Sequence, residues 1–319
     1  MPGKLVAVLG MFDERHREMI RRAAEKHGYE ATIVDRDRDA LPYLSDAEIV
    51  FGQGAALAAN SPRLKWLCTP SAGIDHLGRE VFASPDAVLS NSSGAYGTAI
   101  AEHTVMVILE TLRRAAEYGE IVRRREWRRG LAVRSIRGSR ITVLGTGDVG
   151  TETALRLRAF LPESVSGFNR SGANPGGVFD RILDGDGLDG ELPLTDILIV
   201  TLPGTKETRR LMDARRLSLL KDGAVVVNVG RGSVIEQRAL EGELRAGRLF
   251  AALDVFESEP LAADDPLWDC PNLIITPHMS GNMALPYTRD RIVELFLEDL
   301  ENYCAGRELK RRVDPDRGY

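Results

Sequence analysis

The chain has 319 residues, 43% of them apolar and 28% charged, with a net charge of −5. That length holds two domains of ordinary size, and the composition is globular rather than disordered or fibrous. The small acidic excess gives no reason to expect a nucleic acid partner. The apolar stretch at residues 5–9 is too short to cross a bilayer or to form a signal-peptide core, so the expectation is a cytoplasmic protein with no membrane partner. Cys68, Cys270 and Cys304 are odd in number and lack metal-ligand spacing. They read as small apolar residues of a reduced protein, with no metal site expected.

In chain order, apolar runs at 4–9, 31–34, 49–52, 64–69 and 87–90 read as strands. A charged amphipathic segment at 12–26, stopped near Gly28, reads as a helix between the first two. This alternation predicts a parallel sheet with helices on both faces. A long helix is expected over about 98–125, apolar early (Ile100, Val105, Val107, Ile108) and rich in arginine late. Arg113, Arg114, Arg123, Arg124, Arg125, Arg128 and Arg129 fit a solvated helix end better than a basic rim for anions.

A second alternating series starts at Arg140, with strands near Ile141, Val165, Ile197, Val225, Ala251 and Ile274 and a last helix over about 287–303. Its first strand runs into Gly145-Thr146-Gly147-Asp148-Val149-Gly150 and then a helix over about 151–160. Gly145 permits a tight turn, Gly147 lets the backbone approach a pyrophosphate, and Gly150 lets the helix pack close to the strand. The helix N-terminus turns free N–H groups and a positive dipole end towards phosphates. A strand before and a helix after give this pattern its dinucleotide-binding meaning. No acid stands at the end of the second strand, where Asn169-Arg170-Ser171 follows Phe168. An acid there would repel a 2′-phosphate, whereas Arg170 can pair with it and Ser171 can donate to it. NADP is therefore the expected cofactor, with NAD also used if Arg170 stacks on adenine or faces solvent.

Arg231, Glu259 and His278 each follow an apolar run that reads as a parallel strand, at 224–227, 250–253 and 273–275. The ends of strands in an open parallel sheet share one edge, and ligands bind there. Three residues distant in sequence thus converge: a cation for a carboxylate, an imidazole to move a proton, and an acid to orient the imidazole. The set suits chemistry on a 2-oxo acid, because histidine titrates near working pH.

With Ser71-Ala72-Gly73-Ile74-Asp75, Ala101-Glu102-His103 and Leu202-Pro203-Gly204-Thr205-Lys206-Glu207-Thr208 added, the chain resembles the D-isomer-specific 2-hydroxyacid dehydrogenase family over nearly its whole length. The resemblance implies an α/β protein of two doubly wound parallel-sheet domains, a Rossmann cofactor domain and a flavodoxin-like substrate domain, with an active-site cleft between them. It implies a discontinuous substrate domain, 1–98 and 286–319, around a dinucleotide-binding domain at 99–285. The reaction implied is NAD(P)-dependent reduction of a 2-oxo acid to the D-hydroxy acid. Arg231 would bind the carboxylate and carbonyl, and protonated His278 would donate to the carbonyl oxygen. Glu259 would orient His278, because the family's acid directly precedes a proline, here Pro260; Glu257 is the competing acid.

The remaining site expectations are as follows. Cofactor contacts would come from Gly145, Thr146, Gly147, Asp148, Val149, Gly150, Asn169, Arg170, Ser171, Leu202, Pro203, Thr208, Val229 and Gly230. Asp254 stands either as a holder of the nicotinamide carboxamide or as a turn residue. Backbone N–H groups at Gly52, Gln53, Ala72 and Gly73 would complete the carboxylate site, since small residues let backbone approach a ligand. Tyr96, Met279, Met283, Leu285 and Tyr287 would shape the pocket. Glu102 and His103 are expected to stabilise the domain junction, outside the chemistry. Some relatives carry an aromatic near Trp127 that reaches a neighbouring subunit's pocket; with a single aromatic here, surface packing stands as the alternative of at least equal weight. The family suggests a homodimer through the cofactor domain. Competing readings are an NAD-dependent phosphoglycerate-type enzyme, which would need more cationic groups around 51–54, and a non-catalytic dinucleotide sensor on the same fold.

Overall fold

The computed structural model describes residues 2–315; Met1 and residues 316–319, the two ends of the expected substrate domain, lie outside the described residues. The chain divides into two compact units, Met1–Tyr96 with Asn282–Tyr319 (unit 1) and Gly97–Gly281 (unit 2).

Unit 1 is built on β1 (Gly3–Val8), β2 (Tyr29–Val34), β3 (Ile49–Phe51), β4 (Trp66–Cys68) and β5 (Val88–Ser90). These pair in parallel in the order β5-β4-β3-β1-β2, the strand order of flavodoxin-like sheets. Successive side chains alternate between faces. Val6, Val50, Leu67 and Leu89 enter one core with Leu44, Leu57 and Leu77. Phe51 and Trp66 belong to the opposite set, and Phe296 of the helix Pro286–Cys304 stacks on both, with ring centroids 4.4 and 5.4 Å away. Tyr303 stacks on Trp66 at 5.3 Å. Buried aromatic area of this kind dominates core energetics, and it binds the C-terminal helix to unit 1. A further strand, β13 (Arg312–Val313), adds antiparallel to β5. Two residues carry no periodicity, so the sequence did not announce it.

Unit 2 holds β6 (Arg140–Leu144), β7 (Ser164–Phe168), β8 (Arg181–Leu183), β9 (Ile197–Val200), β10 (Val225–Asn228), β11 (Phe250–Leu253) and β12 (Leu273–Ile275). They form one parallel sheet in the order β12-β11-β10-β9-β6-β7-β8. Leu198, Val200, Val226 and Leu253 point into one core, while Ile197, Ile199, Val225 and Val227 point into the other. Burial on both faces is why these strands read as continuous apolar runs. β8 escaped the reading because it is short and opens with an exposed arginine. The strand order reverses beside β6, and the glycine loop leaves β6 at that switch point.

The expected single helix over 98–125 is instead two, Gly97–Arg113 and Ala115–Arg123. Arg114 between them is left-handed, at φ 56° and ψ 40°, a conformation that ends an α-helix. Its guanidinium pairs with Glu117 at 2.6 Å and lies 5.4 Å from the Phe250 ring centre, so tertiary contacts compensate the break. The other six arginines of the stretch are exposed. Trp127 is 90% exposed.

Candidate active site

β10, β11 and β12 are adjacent and parallel, so the loops carrying Arg231, Glu259 and His278 leave one edge of the sheet. Glu259 Oε2 lies 2.6 Å from His278 Nδ1. Its other oxygen accepts the Phe256 N–H at 3.0 Å, so the loop aims its own carboxylate. An acid on Nδ1 fixes the ring and leaves Nε2 as the working nitrogen. The competing acid, Glu257, lies 3.7 Å from Arg210 and gives its backbone N–H to Gln237. Both members of the pair remain accessible, with His278 51% and Glu259 35% exposed. An apolar cavity of about 480 Å³ adjoins them, walled by Phe256, Leu261, Trp268, Ile275 and Pro277.

Arg231 is extended, at φ −139° and ψ 140°, and donates from Nη1 to the Gly230 carbonyl at 2.8 Å. Asn228 brackets the turn, accepting the Gly230 N–H at 3.1 Å and donating to the Arg231 carbonyl at 3.0 Å. A Cβ on Gly232 would stand 1.9 Å from the Phe256 carbonyl carbon. The Arg231 and Glu259 loops therefore touch through bare backbone, and the glycine after Arg231 is the sequence signal for that contact.

Asp254 is 2% exposed and works as a turn residue. One oxygen accepts the Thr276 hydroxyl at 2.6 Å and the Met279 N–H at 2.9 Å; the other accepts both the N–H and the hydroxyl of Ser280. Burial pushes its carboxyl up, but these hydrogen bonds outweigh burial and hold it below the usual carboxylate range. His278 itself is left-handed, at φ 50°, an uncommon state for a residue other than glycine. Its N–H donates to the Asp254 and Thr276 carbonyls at 2.9 and 3.0 Å. His103 lies 3.3 Å from the Thr276 hydroxyl. It thus supports the histidine loop inside unit 2, from the helix that begins where the chain enters that unit.

At the glycine loop, Gly145 has φ +104°, as a tight turn requires. A Cβ on Gly150 would stand 1.9 Å from the Gly145 carbonyl oxygen, whereas one on Gly147 would meet nothing within 4 Å. The first forces glycine for packing; the second leaves bare, open backbone at the start of the helix Asp148–Arg158. Open N–H groups at a helix start beside a switch point fit a dinucleotide pyrophosphate. Several side chains expected to contact cofactor are engaged elsewhere. The Asp148 carboxylate sits over Gly97, and Val149 packs into the core. Asn169 donates to Thr146 and to the Ala173 carbonyl and accepts from Gly172, holding its own loop. Ser171 donates to Asn169 at 3.3 Å. Thr208 donates to the Pro203 carbonyl at 2.6 Å, folding the segment that starts at buried Leu202 and exposed Pro203. Gly230, after buried Val229, is pressed against that segment, since its Cβ would lie 2.6 Å from the Leu202 oxygen.

Arg170 is exposed. Glu207 lies below its ordinary pKa through hydrogen bonds from its own backbone and Thr205, with attraction to Arg170 and Lys206. Arg170 and Lys206 thus both act on the Glu207 carboxylate, an acid among the cations that reading along a single loop missed.

In unit 1, Tyr96 is buried and its hydroxyl donates to the Pro70 carbonyl at 2.7 Å. Burial pushes that hydroxyl's pKa up. Tyr96 therefore braces the 70–73 loop rather than lining a pocket, which corrects the expectation. Gly52 is corrected too, because its N–H donates to the Cys68 carbonyl at 3.0 Å. Ala72 is exposed, Gly73 is half-buried, and the exposed Gln53 is pinned by His76 to its carbonyl at 2.8 Å. A cavity of about 840 Å³ at the strand ends is lined by Gln53 and Gly54 together with Arg17, Arg36, Asp35 and Asp37. Cations thus stand near the 51–54 loop after all, supplied from distant positions, and two acids offset them. Met283 also lines this cavity, while Met279, Leu285 and Tyr287 are exposed.

The profile of the D-isomer specific 2-hydroxyacid dehydrogenase NAD binding domain matches residues 105–280. The chain is 32% identical to a glyoxylate reductase of Thermofilum pendens over 83% of this chain and 78% of the relative. Among solved structures, a D-isomer specific 2-hydroxyacid dehydrogenase family protein from Aeromonas salmonicida superposes with a TM-score of 0.86 at 32% identity, covering 99% of this chain and 100% of the other. One from Xanthobacter autotrophicus, in complex with NADPH and MES, has a TM-score of 0.82 at 29% identity, covering 100% of both chains.

Proposed function

The chain belongs to the D-isomer specific 2-hydroxyacid dehydrogenase family, and from that premise we propose that it is an NADP(H)-preferring reductase of small 2-oxo acids. As a member of that family it is an NAD(P)-dependent oxidoreductase acting on the CH–OH group of 2-hydroxy acids. The observation that carries the finer reading is the 2.6 Å contact between Glu259 and His278 Nδ1, on strand-end loops next to the one bearing Arg231.

When bound at the glycine loop, the nicotinamide dinucleotide supplies the hydride. Arg231 offers a planar fork to the substrate's carboxylate and carbonyl oxygens. Protonated His278 gives its Nε2 proton to the carbonyl oxygen as negative charge develops there. Glu259 fixes the imidazole through Nδ1 during that transfer. Asp254, besides holding the turn, is proposed to sit beside the nicotinamide carboxamide. Backbone N–H groups of Gln53, Ala72 and Gly73 are our candidates for the substrate carboxylate, unit 1 serving as substrate domain and unit 2 as cofactor domain. Arg170, with no acid at the end of β7, supports NADP over NAD, since a guanidinium complements a 2′-phosphate. Glyoxylate is the first substrate to test, because the Thermofilum pendens relative is a glyoxylate reductase. The two acids of the unit 1 cavity offset its two arginines, so the cavity offers no excess positive charge to a phosphorylated substrate. No described helix is long and apolar enough to cross a membrane; a cytoplasmic homodimer remains part of the proposal.

The test is kcat/KM for glyoxylate, hydroxypyruvate and 3-phosphohydroxypyruvate with NADPH and with NADH. The reading predicts that NADPH with an unphosphorylated acid is best. Equal or better use of NADH removes the NADP assignment, and preference for the phosphorylated acid removes the substrate assignment.

A further inference from the structure

Glu259 fixes only the ring of His278; a second set of contacts fixes the backbone that carries the ring. His103, in the second turn of the helix Gly97–Arg113, is buried, with Nε2 3.3 Å from the Thr276 hydroxyl. That hydroxyl lies 2.6 Å from Asp254 Oδ1. An ionised carboxylate only accepts, so the threonine proton points at Asp254 and the threonine oxygen faces His103 as acceptor. His103 must then carry its proton on Nε2. Burial holds it towards the neutral form, opposed by Asp254 and Glu110, and the neutral Nε2–H tautomer satisfies both conditions.

The chain of donors thus has one direction, His103 to Thr276 to Asp254. Asp254 also accepts from Met279 and Ser280, and its carbonyl accepts the His278 N–H. The Thr276 hydroxyl, the N–H groups of His278, Met279 and Ser280 and the Ser280 hydroxyl all end on Asp254, and the left-handed His278 is in the middle. A residue held at φ > 0 persists only where its surroundings over-determine it. The network also reaches both points at which the chain changes unit. His103 is on the helix that begins at Gly97, and Ser280 directly precedes Gly281.

We propose that His103 is a positioning residue for His278, its Nε2–H acting through Thr276 and Asp254 to hold the loop that aims the imidazole at Glu259. This inference rests on the reading of His278 as the acid–base group.

The experiment is steady-state kinetics of His103→Leu, His103→Gln, Thr276→Val and the double variant His103→Leu/Thr276→Val, beside His278→Asn. Cofactor affinity and Tm are measured on each. His103→Leu and Thr276→Val should each lower kcat about tenfold or more, the scale of a misplaced catalytic group, with KM and cofactor affinity nearly unchanged. His103→Gln, which can carry an N–H near the lost position, should recover most of the activity. The double variant should be no worse than the single ones, because both cut the same chain. A purely structural histidine would lower Tm and leave kcat per folded site alone. Wild-type kcat in His103→Leu with His278→Asn inactive overturns the inference and leaves the acid–base assignment standing. Wild-type turnover in His278→Asn overturns that assignment and the inference with it. If His103→Leu does not fold, Thr276→Val and His103→Gln decide on the same criteria.

Discussion

The two sides of the unit 2 sheet offer their candidate functional groups in different materials. Beside β6 the proposed working groups are backbone: a left-handed Gly145, an uncovered Gly147 and a helix start. The side chains nearby, Asp148 and Asn169, are occupied with holding the loop or facing a neighbouring helix. Beside β10–β12 the proposed working groups are side chains, and backbone serves to bring their loops into contact, as at Gly232. A backbone site is altered by adding atoms, a side-chain site by removing them. Substitutions on the two sides should therefore fail in different ways.

The largest effect is expected on the side-chain side. His278→Ala or Arg231→Ala should lower kcat/KM by about 10² to 10⁴, with cofactor binding and Tm near wild type. Turnover within a few fold of wild type in either variant removes that residue from the mechanism. On the backbone side, Gly150→Ala puts a methyl group 1.9 Å from the Gly145 oxygen. We expect a loss of about 1–3 kcal/mol in stability and weaker cofactor binding, read by denaturant unfolding and fluorescence titration. Gly147→Ala, with nothing within 4 Å of its added carbon, should leave stability unchanged and weaken only the dinucleotide. Identical behaviour of the two variants would erase the distinction between a packing glycine and a ligand-facing one.

The difference also explains what was legible in the sequence. Gly145 and Gly150 are readable because backbone geometry leaves no alternative to glycine. Arg231, Glu259 and His278 are readable because each follows an apolar run and parallel topology gathers strand ends. The residues that hold these groups carry no such mark. His103 is one buried position on an ordinary helix, and Thr276 and Asp254 acquire their roles only through each other. Tyr96 read as a pocket residue because its hydroxyl partner, the Pro70 carbonyl, is 26 positions away. The break at Arg114 was hidden for the same reason, since Phe250 lies far along the chain. Local pattern finds elements and special backbone; contacts between distant residues have to be seen.

Two smaller effects sharpen the comparison. Arg170→Ala should lower the preference for NADPH over NADH about tenfold, roughly one charge-assisted hydrogen bond, without altering KM for the 2-oxo acid. An unchanged cofactor ratio would leave the 2′-phosphate to Lys206 or to neither. The smallest concerns pH. His103 in the folded protein lies below its ordinary value because of burial, while the unfolded chain takes up a proton near about 6.5. Its contribution to stability is therefore present above that value and is lost as pH falls towards the lowered folded value. The fall in Tm from about pH 7 to about pH 5.5 should be shallower in His103→Gln than in wild type. Equal slopes would mean that His103 titrates alike in both states.

The most direct test of the central claim is the loss of NADPH absorbance when the purified protein is mixed with glyoxylate, run beside His278→Asn and beside acetone as a ketone without a carboxylate. The account predicts turnover of the 2-oxo acid by the wild type, none with acetone because Arg231 has no carboxylate to hold, and loss of turnover in the variant. Turnover of acetone at a similar rate, or undiminished turnover in His278→Asn, would contradict it.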